Sequence, residues 1–240
     1  MDARLYTASG GTGLRRERAY EELKRWLLIG DFPLNGRLAE ERLAAQLAVS
    51  RTPIREALVR LHAEGLVERG PDGGWFPAVP DVAAIHDLYE VRLALELQGL
   101  RRPVELGPGV THDVAVLEPL RDEWKALAAD QPPSDPGFVT LDEDFHVRLA
   151  RSSGNPALAE LLQLVNERIR IVRMHDFLTD VRMRRTIRQH LEILDAVLAG
   201  DLPSAAARFG RHLGESIAVV EERVTRALAR MATRKGAMHA

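Results

Sequence analysis

Apolar positions recur at helical spacing along most of the chain. Ile54, Leu58 and Leu61 fall at i, i+4 and i+7 and predict one stripe on a helix that Ser50 opens as N-cap, with Pro53 in its first turn. Upstream, Leu23, Trp26 and Leu27 mark the inner side of a helix over 16–29 that Gly30 stops. Leu43, Ala44 and Leu47 mark a second helix over 39–48, after a turn at 31–36. Beyond Gly65 the pattern shifts to two short strands, 66–69 and 75–79, around the turn Gly70-Pro71-Asp72-Gly73-Gly74. Three helices followed by a hairpin predict a winged helix–turn–helix over 14–79, and residues 1–13, with Gly10, Gly11 and Gly13, read as a disordered lead.

From Asp81 onward the periodicity is helical throughout. Segments are predicted near 82–101, 112–129, 138–152, 156–178, 181–199 and 203–231, with Asp201 or Ser204 capping the last. Pro103, Gly107-Pro108-Gly109, Pro132-Pro133 and Gly154-Asn155-Pro156 punctuate them. The fold class is mainly α: the winged module, then an antiparallel all-α bundle over 81–231.

Composition narrows the picture. With 45% hydrophobic and 28% charged residues the chain is ordinary for a globular protein, and without cysteine it has no disulfide framework and no thiolate metal site. No apolar run approaches the roughly 18 residues of a membrane span, and Met1–Gly13 lacks a signal-peptide core, so the expected location is cytoplasmic, with no membrane partner. The net charge of −2 advertises no nucleic-acid partner, and residues 1–80 carry 12 basic against 11 acidic side chains. DNA binding must then rest on where individual arginines stand. The stretch Gly10-Gly11-Thr12-Gly13 is no phosphate loop, since no strand precedes it and no Gly-Lys-Ser/Thr follows.

Two groups of residues carry candidate chemistry. Ser50, Arg51, Thr52 and Arg55 lie at the start of the third helix, and the arginines and Thr52 stand off its apolar stripe, where a recognition helix meets base edges. Arg37 suits a phosphate contact, and Gly73 and Gly74 let a wing tip approach DNA closely. The competing reading is a surface amphipathic helix with ordinary charges. In the second half, Asp142 and His146 are i, i+4 on one helix, with His190 and His212 on two later ones. One carboxylate and three imidazoles suit a divalent ion, zinc first and nickel or manganese next. From the residues alone, surface or satisfied core histidines are the favoured reading, and His175 is a reserve ligand.

At this point the chain resembles a GntR-family bacterial transcription regulator. The resemblance is carried by Gly36-Arg37-Leu38-Ala39-Glu40, by the run from Leu43 to Leu58, which includes Ser50-Arg51-Thr52-Pro53-Ile54-Arg55-Glu56-Ala57, and by Leu61-His62-Ala63-Glu64-Gly65-Leu66-Val67. Ala48 departs from it, standing where the family has glycine, which predicts a slightly altered turn. The second half is similar to the all-helical (FCD-type) effector domain of the FadR-like branch, through Asp142-Glu143-Asp144-Phe145-His146, the run 149–156, the run 190–201 and Ala207-Arg208-Phe209-Gly210-Arg211-His212-Leu213.

The resemblance implies that Asp142, His146, His190 and His212 are metal ligands. It also implies a ligand-responsive regulator, expected to be a repressor, that binds double-stranded operator DNA as a homodimer. Its effector would be a small carboxylate bound at the metal. Arg92 is the expected partner of that carboxylate, with an i, i+4 surface salt bridge to Glu96 as its other reading, and Asn166 and Arg170 are further candidates. Two other functions compete: a metal-dependent hydrolase or isomerase with an accessory DNA-binding module, and a DNA binder with a purely structural metal. No His-Glu-x-x-His and no separate general base favour the enzyme.

Overall fold

The computed structural model describes residues 8–32, 36–79 and 82–233. The chain divides into two compact units, Met1–Pro80 with Arg223–Ala240, and Asp81–Glu222. The end of the last helix thus groups with the N-terminal module, whereas the apolar pattern runs the second domain on to 231.

In the first unit, α1 (Ala8–Leu28), α2 (Glu40–Leu47) and α3 (Arg51–Ala63) precede a hairpin of β1 (Val67–Arg69) and β2 (Trp75–Pro77). The strands are antiparallel, with Glu68 opposite Phe76. Leu23, Leu27, Leu43, Ala44, Ile54, Leu58 and Leu61 are buried and Trp26 and Leu47 half-buried, so the stripes read from the sequence do face inward. α1 starts at Ala8, so Gly10, Gly11 and Gly13 are helical where the sequence predicts a disordered lead. Glycine costs a helix about 1 kcal/mol, but adding residues to a helix already nucleated is cheap. Of the turn expected at 31–36, Pro33, Leu34 and Asn35 lie outside the described residues.

Two details of α2 and α3 differ from expectation. Ala48 closes α2 at φ 52°, ψ 44°, so the left-handed turn is kept and alanine bears a strain that glycine would escape. Ser50 holds the extended N-cap position of α3, but its side chain makes no capping hydrogen bond. Gly30, at φ +75°, is fixed by close approach as well, since a Cβ there would lie 2.3 Å from the Ala227 carbonyl oxygen.

The second unit is helical among its described residues: α4 (Val82–Leu106), α5 (Val114–Ala129), α6 (Val139–Arg151), α7 (Pro156–Arg173), α8 (Asp180–Leu198) and the first part of α9 (Leu202–Thr233). α4 runs on through Pro103 for another turn, where the sequence predicts a stop. Proline there forfeits only the bond to the Gly99 carbonyl, and the helix ends at Leu106 before Gly107 at φ +125°. α7 tightens into a 3-10 turn at Met174–Phe177 instead of continuing to 178. Asn155 caps α7 through the Leu158 N–H, and Asp201, not Ser204, caps α9, its carboxylate accepting from the Ser204 N–H at 3.1 Å. Leu117, Trp124, Phe145, Leu162, Ile169, Ile193 and Phe209 form the interior. No described helix is long and apolar enough to cross a membrane.

Candidate functional site

Each unit presents one candidate site. In the first, the start of α3 and the wing border an open groove lined by Arg37, Glu40, Arg51, Arg55, Arg69 and Gly73. Ser50, Arg51, Thr52 and Arg55 are all exposed there. The arginines are not loose. Arg55 donates to Glu40 at 3.0 and 3.3 Å, Arg51 donates to Glu41 at 3.0 Å, and Arg37 pairs with Asp72 at 3.0 Å. The hydrogen bond from Arg55 holds the Glu40 carboxyl below its usual range despite partial burial. Gly73 sits at φ +73° with open space where a Cβ would go, while a Cβ on Gly74 would lie 2.8 Å from Arg37 Nε. Sequence reasoning missed Arg69. Its guanidinium lies 3.5 Å from the Trp75 ring centre and donates to the Gly73 carbonyl, which sets the wing tip. Its place opposite Trp75 in the hairpin was the available signal.

In the second unit α6, α8 and α9 bring Asp142, His146, His190 and His212 together, all buried. His190 Nε2 lies 3.2 Å from His212 Nε2, which lies 3.4 Å from His146 Nε2. Asp142 is 3.5 Å from His146 Nε2 through Oδ2 and 3.4 Å from His190 Nε2 through Oδ1. Ligand bonds of about 2.0–2.2 Å place neighbouring donors roughly 3.0–3.5 Å apart, so the four residues fit one small divalent ion. His175 is buried but is not among these four.

Surrounding groups orient the imidazoles. His212 Nδ1 is 3.1 Å from Gln189 Oε1, whose amide nitrogen donates to Glu215 at 2.8 Å. His146 Nδ1 is 3.0 Å from Glu96 Oε2, close although poorly aligned. His190 stacks on Phe145 at 3.6 Å between ring centres. Arg92 is 1% exposed, and its Nε donates to Glu96 at 2.6 Å. The Arg92–Glu96 pair weighed as a surface salt bridge is therefore real but fully buried. Burial alone would raise the Glu96 carboxyl, but Arg92 and then His146 outweigh it and hold it at about 2. Asn166 is buried and accepts from Arg173 at 3.1 Å, Arg173 also donates to Asp142, and Arg170 donates to Glu143 at 2.8 Å. Arg173 was missed, and Glu96 was read as a surface charge, because only burial distinguishes them from solvated residues.

Burial, then neighbouring positive charge, pushes His190 and His212 well below the ordinary imidazole value. The unfolded chain therefore takes up protons first as pH falls, and stability is lost from about pH 6.5 downward. For the metal-free protein the expected slope is about 1.4 kcal/mol per pH unit for each imidazole. Urea midpoints between pH 7.5 and 5.5 measure it, and His212→Gln should reduce the slope by one proton. An identical slope in that variant would contradict the assignment.

Comparisons with known proteins match both parts of the chain. Residues 15–76 match the bacterial regulatory proteins of the gntR family, and residues 87–215 match the FCD domain. The chain belongs to the GntR family. Among its relatives, the Nta operon transcriptional regulator of Aminobacter aminovorans is 33% identical over 79% of this chain and 88% of its own. An HTH-type transcriptional regulator in an unstable DNA locus of Streptomyces ambofaciens is 34% identical over 82% and 81%. A solved GntR regulator from Rhodococcus sp. RHA1 superposes with a TM-score of 0.53 at 26% identity, covering 87% of this chain and 98% of that one. This GntR-family chain is a bacterial transcriptional regulator with an FCD domain, and its relatives are regulators rather than enzymes.

Proposed function

We propose that this regulator is a repressor whose hold on operator DNA is tuned by a small carboxylate effector bound at a divalent metal, zinc first, in the FCD bundle. The observation that carries the reading is the buried four-residue centre with Arg92 beside it. A divalent ion held by Asp142, His146, His190 and His212 would supply a Lewis-acidic anchor for a carboxylate. Arg92 holds Glu96 through Nε while its two terminal nitrogens, buried, have no hydrogen-bond partner. Such donors favour an arriving anion. Asn166 and Arg170 hold Arg173 and Glu143 in place around the same centre.

On the DNA side, Arg51, Thr52 and Arg55 read bases, Arg37 contacts phosphate, Ser50 approaches the backbone and Gly73 brings the wing close. One recognition helix per chain fits a homodimer on a near-palindromic site. Operator titrations at fixed salt, with metal and with and without a carboxylate panel, test the reading. A change in affinity supports it, and a metal-loaded protein indifferent to every carboxylate leaves only a structural metal.

Glu96 has a definite part in this reading. Its carboxylate lies 3.0 Å from Nδ1 of His146, where a small realignment would hold the ring with Nε2 toward the other ligands. Glu96→Gln is expected to lower metal affinity about 10- to 100-fold in chelator competition, while the intact winged module keeps its operator affinity. Unchanged metal affinity would remove Glu96 from this role.

A further inference from the structure

We infer that the effector is a small dicarboxylate, one end at the Asp/His centre beside Arg92 and the other on Arg182 of α8. This rests on the effector reading above and adds the ligand's charge and its two-ended attachment.

Charge is the first argument. Around the centre, four carboxylates (Glu96, Asp142, Glu143, Asp176) are paired with four guanidinium groups (Arg92, Arg170, Arg173, Arg182). The protein's own charges there cancel. Ligating imidazoles are neutral, so a divalent ion leaves two positive charges in a buried place. Uncompensated buried charge is costly. A monocarboxylate answers half of it, and a dianion answers all of it.

The second argument is the placement of unused donors. Arg182 is 6% exposed and donates to Asp176 through Nε at 2.6 Å and through one terminal nitrogen at 3.0 Å, while its other terminal nitrogen, Nη1, is buried without a partner. Arg182, Thr186 and His190 succeed one another at i, i+4 and i+8, one above the next on a single face of α8. Thr186 is fully buried, and its hydroxyl has no partner. That face therefore runs from a metal ligand, past a free hydroxyl, to a free guanidinium nitrogen. Asp176 also accepts from Ser216 at 2.6 Å, which helps hold the Asp176–Arg182 pair in place. The spare donors thus come from two helices, Arg92 from α4 and Arg182 from α8.

The test uses the full-length chain reconstituted with zinc, and isothermal titration with matched acids: butyrate against succinate and pentanoate against glutarate, with inorganic phosphate as a compact dianion. The dicarboxylates are expected to bind about 10- to 100-fold more tightly than their partners. Arg182→Gln should remove most of that advantage and leave the monocarboxylates unchanged. Because Arg182→Gln strands Asp176, Arg182→Gln/Asp176→Asn and Thr186→Val are measured beside it, and both should narrow the preference. Equal affinity for mono- and dicarboxylates, phosphate binding as tightly as succinate, or a preference untouched by all three variants overturns the proposal while the carboxylate effector stands. No binding by any of these acids to the zinc-loaded chain overturns the effector reading and this proposal together.

Discussion

His190→Ala is expected to abolish high-affinity metal binding and, with it, any effector response, while the winged module keeps its fold. Nε2 of His190 stands 3.2 Å from His212 and 3.4 Å from Asp142, so its loss opens the ring of donors on two sides. The ring also packs flat on Phe145 and edge-on to Trp124, so alanine leaves a cavity as well. Large-to-small changes of this kind cost about 2–5 kcal/mol, and a metal bound only by the folded state adds stability that the variant would forgo. His190→Gln separates the two effects, filling the space without an imidazole donor. Metal content by elemental analysis and thermal midpoints with and without zinc supply the readings. A His190→Ala protein that retains full metal content and an ordinary effector response refutes the assignment.

Arg55→Ala is expected to weaken operator binding about 10- to 100-fold at fixed salt and to relax specificity at the base it reads. Glu40 now holds the Arg55 guanidinium at 3.0 and 3.3 Å, and Arg51 lies 3.6 Å from the same carboxylate. Arg37→Ala should behave differently, weakening all sequences alike and flattening the salt dependence. Titrations on operator and scrambled duplex distinguish the two. If Arg55→Ala lowers both affinities equally, α3 is touching backbone rather than bases.

Periodicity made most of the fold legible, because in both units the apolar residues that repeat every three to four positions are the buried ones. The i, i+4 spacing was enough to pair Asp142 with His146. Nothing local joined them to His190 and His212, which lie 44 and 66 residues beyond His146 in the chain; family resemblance made that link. Glu96, read only as a surface partner of Arg92, and Arg182 were not placed at the centre for a related reason. Arg92-to-Glu96 spacing is what a solvated helix face also shows, and only tertiary packing turns it into a buried brace for a ligand. Pro103 and the Gly10–Gly13 run misled in the opposite sense, since both lie near the end of a helix whose remaining turns carry it through the local breaker signal. Ala48 kept a left-handed turn because the connection between α2 and α3 dictates it, whatever residue stands there.

The glutamates facing the recognition arginines bear on how such a protein finds its site. A chromosome presents a vast excess of wrong sequence, and any regulator with naked arginines would spend its time stuck there. If Arg37, Arg51 and Arg55 contact DNA as proposed, a phosphate track alone must compete with Glu40, Glu41 and Asp72 for each guanidinium, and sliding contacts would break easily. Only a duplex that also offers the right base edges returns enough to displace the carboxylates. On that reading discrimination would be gained by making the wrong complex poor, with only a short time spent on each false stop.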